Sequence, residues 1–119
     1  MANLNVIDEL IDIFLYGNYE LLCAYNRKTE EVITDVNEVT GDLVKIPQIS
    51  STECYDLMVN FSKRLDDDTA ALLVEVLNGE RPFGAFKNKV SEHGIENKWY
   101  EFENNYAKIK MVEWLEMQN

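Results

Sequence analysis

Apolar positions recur at helical spacing from about Asn5 to Tyr16, where Ile7, Leu10, Ile11 and Phe14 share one face. Val6, Ile13 and Leu15 widen that face, and Gly17 followed by Asn18 ends the helix. A change of period follows. Leu21–Tyr25 is an apolar run, Asn26-Arg27-Lys28-Thr29 is turn-like, and Glu30–Thr34 is rich in β-branched residues, so the segment reads as a β-hairpin. Leu43–Ile46 supplies a third short strand before Pro47. Connections this short make antiparallel neighbours, because a parallel crossover needs a dozen or more residues.

Helical spacing then returns. Ser50 with Glu53 three residues later forms a capping box, and Cys54, Leu57, Met58, Phe61 and Leu65 make a stripe behind it. Asp66-Asp67-Asp68 breaks this helix and opens the next, Thr69–Leu77, which is apolar almost all round and is expected to be the most buried. Gly79 suits the position after its C-cap. Pro82 fits the first turn of a fourth helix carrying Phe83, Phe86 and Val90, which Gly94 ends. A last helix begins near Ile95 with the stripe Ile95, Trp99, Phe102, Tyr106 and Ile109. There the phase slips: Met111, Val112, Trp114 and Leu115 leave the stripe and Glu113 falls on it. Either the helix kinks near Asn104-Asn105, or its last turns meet a second surface.

The pattern predicts an α+β fold: an N-terminal helix, a small antiparallel sheet of a hairpin and a third strand, then a C-terminal bundle of about four helices built around Val74 and Phe86. At 119 residues the expectation is one domain over 1–119, with 1–49 holding the helix and sheet and 50–119 the helical part.

Charge narrows the function classes. Eleven Lys and Arg against 22 Asp and Glu leave −11. Nucleic acid is an unlikely general partner, since binding it needs clustered cations. An acidic surface serves solubility or meets a basic protein. Residues 1–25 carry four acids and no Lys or Arg, whereas 82–119 carry six acids and five bases. Cys23 and Cys54 sit in apolar contexts and read as buried free thiols of a reducing cytosol. The first residues show no basic region or cleavage site of a signal peptide, and no apolar run approaches the ~20 residues of a membrane span.

The candidates for chemistry are few. Asp66-Asp67-Asp68 lacks the spaced oxygens, glycine and distal Glu of a calcium loop and reads as a helix cap. His93, the one histidine, stands at a helix end, with no Ser or Cys partner at triad spacing. Gly79 and Gly84 bracket Arg81 and Pro82 without a phosphate-loop pattern. The start of that helix offers N–H groups to an anion, or is simply a tight turn packing Phe83. Lys87, Lys89 and Lys98 near Trp99 and Tyr100 suggest stacking on nucleic acid, but the aromatic spacing matches a core stripe. Tyr100 and Trp114 fall off the stripe, and an exposed Trp114 would anchor an interface.

The C-terminal motifs resemble the bacterial uncharacterised protein family 0158: Phe83-Gly84-Ala85-Phe86-Lys87, Trp99-Tyr100-Glu101-Phe102 and Glu113-Trp114-Leu115. Ile46-Pro47, Glu53-Cys54-Tyr55 and Leu77-Asn78-Gly79 are similar too, and the likeness follows most of the chain in order. Where the family tends to have a Thr-Gly-Glu turn in the hairpin, this chain has Lys28-Thr29-Glu30. The resemblance implies no activity or catalytic residue.

Two function classes stay open. The first is a non-enzymatic cytoplasmic protein–protein interaction module, acting through the acidic surface of 1–81 or an edge at Trp114, on a basic protein partner or as a homodimer. The second is a small-ligand binder or enzyme with a cleft near Arg81, Lys87, His93 and Tyr100. No cofactor, metal or catalytic set is expected.

Overall fold

The computed structural model describes residues 4–17 and 20–118; Asn18, expected beyond the first helix, falls outside them. Helix α1 (Leu4–Tyr16) buries Val6, Ile7, Leu10, Ile11 and Phe14, the apolar face read from the spacing. It stops at Gly17, where a Cβ would collide with the Gln48 side chain and the Ile13 carbonyl, so the close approach itself demands glycine. Strands β1 (Ala24–Asn26), β2 (Glu31–Ile33) and β3 (Leu43–Lys45) form an antiparallel sheet of order β2-β1-β3. Tyr25 stands opposite Val32 on one side and Val44 on the other, so the three share one sheet face. That face covers the core, with Tyr25 buried and both valines packed against it. The Ile46 N–H donates to the Cys23 carbonyl at 3.0 Å, extending the pairing past β3.

The hairpin turn is held by Asn26, whose Oδ1 accepts from the N–H groups of Lys28 (2.9 Å) and Thr29 (3.1 Å). Glu30 then closes the turn with φ +61°, a left-handed conformation, and donates its N–H to the Asn26 carbonyl at 2.8 Å. The backbone thus makes the turn at a cost that a glycine would not incur.

Four helices follow: α2 (Ser51–Ser62), α3 (Asp67–Leu77), α4 (Pro82–Glu92) and α5 (Glu96–Met117). The Ser50 hydroxyl accepts from the Glu53 N–H at 3.0 Å and caps α2. Asp66 caps α3, its carboxylate accepting both the N–H and the hydroxyl of Thr69 at 3.1 Å. Pro82 occupies the first turn of α4. Gly94 ends α4 at φ +66°, with the Ile95 N–H reaching the Val90 carbonyl and the Gly94 N–H the Ser91 carbonyl. This pair of bonds is a Schellman cap, which requires the left-handed residue. Gly79, at the matching place after α3, lacks the left-handed φ; there the helix tightens through short-range bonds to Val74, Glu75 and Val76.

The chain forms two compact units, Met1–Ile49 with Asn104–Asn119, and Ser50–Glu103. Residues 104–119 thus group with α1 and the sheet. In the first unit α1 and the sheet share a core with Ala107, Met111 and Leu115 of α5. In the second, four rings meet: Phe61 lies 5.4 Å from Trp99 and from Phe102, and Phe86 lies 5.0 Å from Trp99. Such tilted and edge-on pairs suit the ring quadrupoles and each add about 0.5–1.5 kcal/mol beyond burial. The Arg64 guanidinium covers the outside of Phe102 at 4.8 Å.

Three expectations need correction. Helix α3 is not the most buried: only Leu73 and Leu77 are inside, whereas α2 buries Leu57, Met58, Phe61 and Ser62. An 11-residue helix packing on α2 and α4 still leaves part of its circumference to solvent, so Val74 is half-buried and Leu73 takes the central place. Cys54 and Leu65 are likewise half-buried. Ile109 is 60% exposed, because α5 is one unbroken helix whose last turns bury another face.

Two substitutions check these local features. Glu30→Gly is expected to raise stability by about 1 kcal/mol, read as a higher urea midpoint at unchanged slope; a drop would show that the turn is not strained. The two bonds from Thr69, backbone first, hold the Asp66 carboxyl below its ordinary value. Its stabilising contribution is full above the unfolded value near pH ~4 and fades as pH falls through the folded one. Asp66→Asn keeps a good cap without the titration, so its urea midpoint should fall less steeply than the parent's below about pH 4.

Candidate functional site

Helix α4 carries three of the sequence-predicted site residues. Arg81 is its N-cap, with no side-chain capping bond, and His93 is its C-cap. At 1.5 Å per residue they are about 18 Å apart, and Lys87, midway, points to a different side of the helix from either. All three are exposed. They do not converge on one cleft. His93 instead lies near Asp66, adding a minor pull on that carboxyl. Tyr100 is 48% exposed on α5. Trp114 is not the open anchor expected from its phase: it is half-buried, its ring edge-on to Tyr25 with centroids 5.9 Å apart. Once α5 turns a new face to the first core, the off-stripe tryptophan is at the margin of that core.

Lys87 does take part in one polar neighbourhood, around the half-buried thiol of Cys54 on α2. Burial, then Glu103, pushes this thiol above its ordinary value; Lys87 opposes the rise and Glu53 adds to it. Glu103 on α5 is itself only 7% exposed. A thiol held protonated is a poor nucleophile at neutral pH, so this grouping does not have the character of a catalytic cysteine. Spacing could not have assembled it, since Cys54, Lys87 and Glu103 come from three helices.

Beside β1 and β3 lies a cavity of about 130 Å³ lined by Glu20, Leu21, Leu22, Cys23, Lys45, Ile46 and Gln48. It is well below the roughly 300–1,000 Å³ of sites for drug-sized ligands. Among the described residues no group of three or more His, Cys, Asp and Glu is arranged to hold a metal ion, and no helix is long and apolar enough to cross a membrane.

One surface of consistent character is the outer side of α1. Asp8, Glu9, Asp12 and Tyr16 are exposed there, opposite the buried Ile7, Leu10, Ile11 and Phe14. None of the three carboxylates makes an ion pair among the described residues; the pair between Lys89 and Glu92, at 3.1 Å, is on α4. The charge bias of residues 1–25 was legible in the sequence, and the helix gathers most of it on one solvent face.

Alkylation kinetics test the thiol environment. Cys54 should react slowly with iodoacetamide at pH 8, and Lys87→Gln should slow it about two- to fivefold further, corresponding to a fraction of a pKa unit. Peptide mass spectrometry separates Cys54 from the buried Cys23; a faster rate in the variant would contradict the arrangement.

Comparison with known proteins adds one relationship. No curated protein and no solved structure matches the chain. The sequence model of the uncharacterised protein family UPF0158 matches residues 4–119. That span takes in α1, the sheet, both sets of core aromatics and the whole of α5, so the resemblance carried by the C-terminal motifs extends through both units, and the chain belongs to the UPF0158 family.

Proposed function

We propose that the protein is a non-enzymatic interaction module of the cytoplasm that docks a basic protein partner on the outer face of α1. The carrying observation is that face: Asp8, Glu9 and Asp12, without an ion pair among the described residues, beside an exposed Tyr16, on a stretch with no Lys or Arg. Carboxylates left without cations attract a positive segment and speed its encounter, and an aromatic next to them supplies contact area at little conformational cost. The two free thiols support a reducing compartment.

The alternative, a small-ligand site or enzyme near Arg81, Lys87, His93 and Tyr100, has less support. Its three α4 residues are spread along and around one exposed helix rather than gathered over a cavity.

A fluorescently labelled peptide rich in Lys and Arg provides the test. Anisotropy should report binding that weakens as salt rises. The amide variant Asp8→Asn/Glu9→Gln/Asp12→Asn should lose roughly tenfold in affinity, the sum of three exposed pairs at about 0.2–1 kcal/mol each. Equal binding by the parent and the variant would remove α1 from the function.

A further inference from the structure

We propose that Asn78 is a site of spontaneous covalent modification: its side chain closes on the Gly79 backbone nitrogen as a succinimide, which water opens to aspartate and isoaspartate. Asn78-Gly79 is the only Asn-Gly pair in the chain. It lies in the segment 78–81 that joins α3 to α4, and Asn78, Gly79 and Glu80 are exposed.

Ring closure needs a backbone nitrogen that can reach the side-chain carbon, and three observations single out this pair. The first is the glycine itself. Its φ is outside the left-handed region, and an added Cβ would meet only the Val76 carbonyl, at 3.3 Å, so the turn does not require glycine. What the missing side chain does provide is an uncrowded nitrogen. The second is position. Asn78 is the C-cap of α3 at φ −86° and ψ 0°, and the Gly79 N–H donates to the Val76 carbonyl at 3.2 Å. Such a short-range bond at an exposed helix end opens readily, and opening it frees ψ of Asn78 to turn toward the ring geometry. Leu77 stays anchored meanwhile, because the Tyr55 hydroxyl donates to its carbonyl at 3.1 Å. The third is contrast with the other described asparagines. Asn5, Asn60, Asn88, Asn97, Asn104 and Asn105 lie inside helices. Asn26 has its Oδ1 engaged by the Lys28 and Thr29 N–H groups, and Asn37 is followed by the bulkier Glu38.

The chemistry consumes water alone. The Gly79 nitrogen gives up its proton and bonds to Cγ of Asn78, while the Cγ–Nδ2 bond breaks and the nitrogen leaves as ammonia. Water then opens the ring at Cγ to give aspartate, or at the main-chain carbonyl to give isoaspartate. Either product puts a carboxylate at the C-terminal end of α3, where the helix dipole is negative and the last turn holds no basic residue. Glu75 and Glu80 are exposed close by in sequence and add to the repulsion. Isoaspartate also lengthens the main chain by a methylene between Leu77 and Gly79. The turn between α3 and α4 thus carries a one-way timer that loosens the end of α3.

Ageing the full chain at neutral and mildly alkaline pH is the test. Peptide mass spectrometry should find the Asn78 peptide converting to two acid forms, separable by chromatography, before any other asparagine converts. Conversion should be faster at the higher pH, since the Gly79 nitrogen must lose its proton. Gly79→Ala should lose most of the conversion, because a Cβ crowds the nitrogen. Asn78→Gln, whose ring would be one atom larger, should lose it too and serves if circular dichroism shows Gly79→Ala to be unfolded. Asn78→Asp, the product placed directly, should have a lower urea midpoint than the parent. A parent whose Asn78 stays an amide, another asparagine that converts first, or a folded Gly79→Ala that converts as fast overturns the site. An unchanged midpoint in Asn78→Asp overturns the loosening of α3.

Discussion

One helix has to furnish two hydrophobic cores. Over 22 residues α5 supplies Trp99 and Phe102 to the ring cluster of Ser50–Glu103, then Ala107, Met111 and Leu115 to the core of α1 and the sheet. A single apolar stripe can serve only one surface, so the helix carries two stripes on different sides and shows little amphipathicity as a whole. The exposed Ile109 and half-buried Trp114 follow from that change of side. So does the near-absence of polar groups from either core, since each short stripe is filled by residues of the right type. The main exception is Glu103, buried at the last position before the division.

The family motifs acquire a physical meaning in this arrangement. Phe86, Trp99 and Phe102 interlock around Phe61, and Leu115 closes the other core. Their order and spacing reflect packing, in which rings of fixed size must meet at fixed separations. No functional assignment follows from matching them. The Thr-Gly-Glu turn of the family is the instructive departure: this chain places Glu30 in the left-handed position, held by the Asn26 bonds on the preceding residues.

The acidic balance is distributed rather than concentrated in a buried network. Asp66 serves as a cap; Asp8, Glu9 and Asp12 face water. A carboxylate on the surface costs little and contributes little to stability, which leaves it available for recognition. The thiol of Cys54 shows the opposite regime, where partial burial next to Glu103 suppresses ionisation and with it reactivity.

Local signals were sufficient for the elements. The α1 face, the hairpin, the Ser50 and Asp66 caps, the Pro82 start and the Gly94 stop are set by interactions within a few residues, so they could be read from order alone. The sequence also showed that α5 changes phase, but periodicity reports a face and not what covers it. Whether the helix kinked or met a second core depended on contacts with α1 and the sheet, nearly a chain length away. The same reason explains Val74 yielding its place to Leu73, Trp114 settling on Tyr25, and Cys54, Lys87 and Glu103 coming together while Arg81 and His93 stay apart. Spacing along a helix is local geometry; burial and convergence between elements are decided only when distant segments compete for the same space.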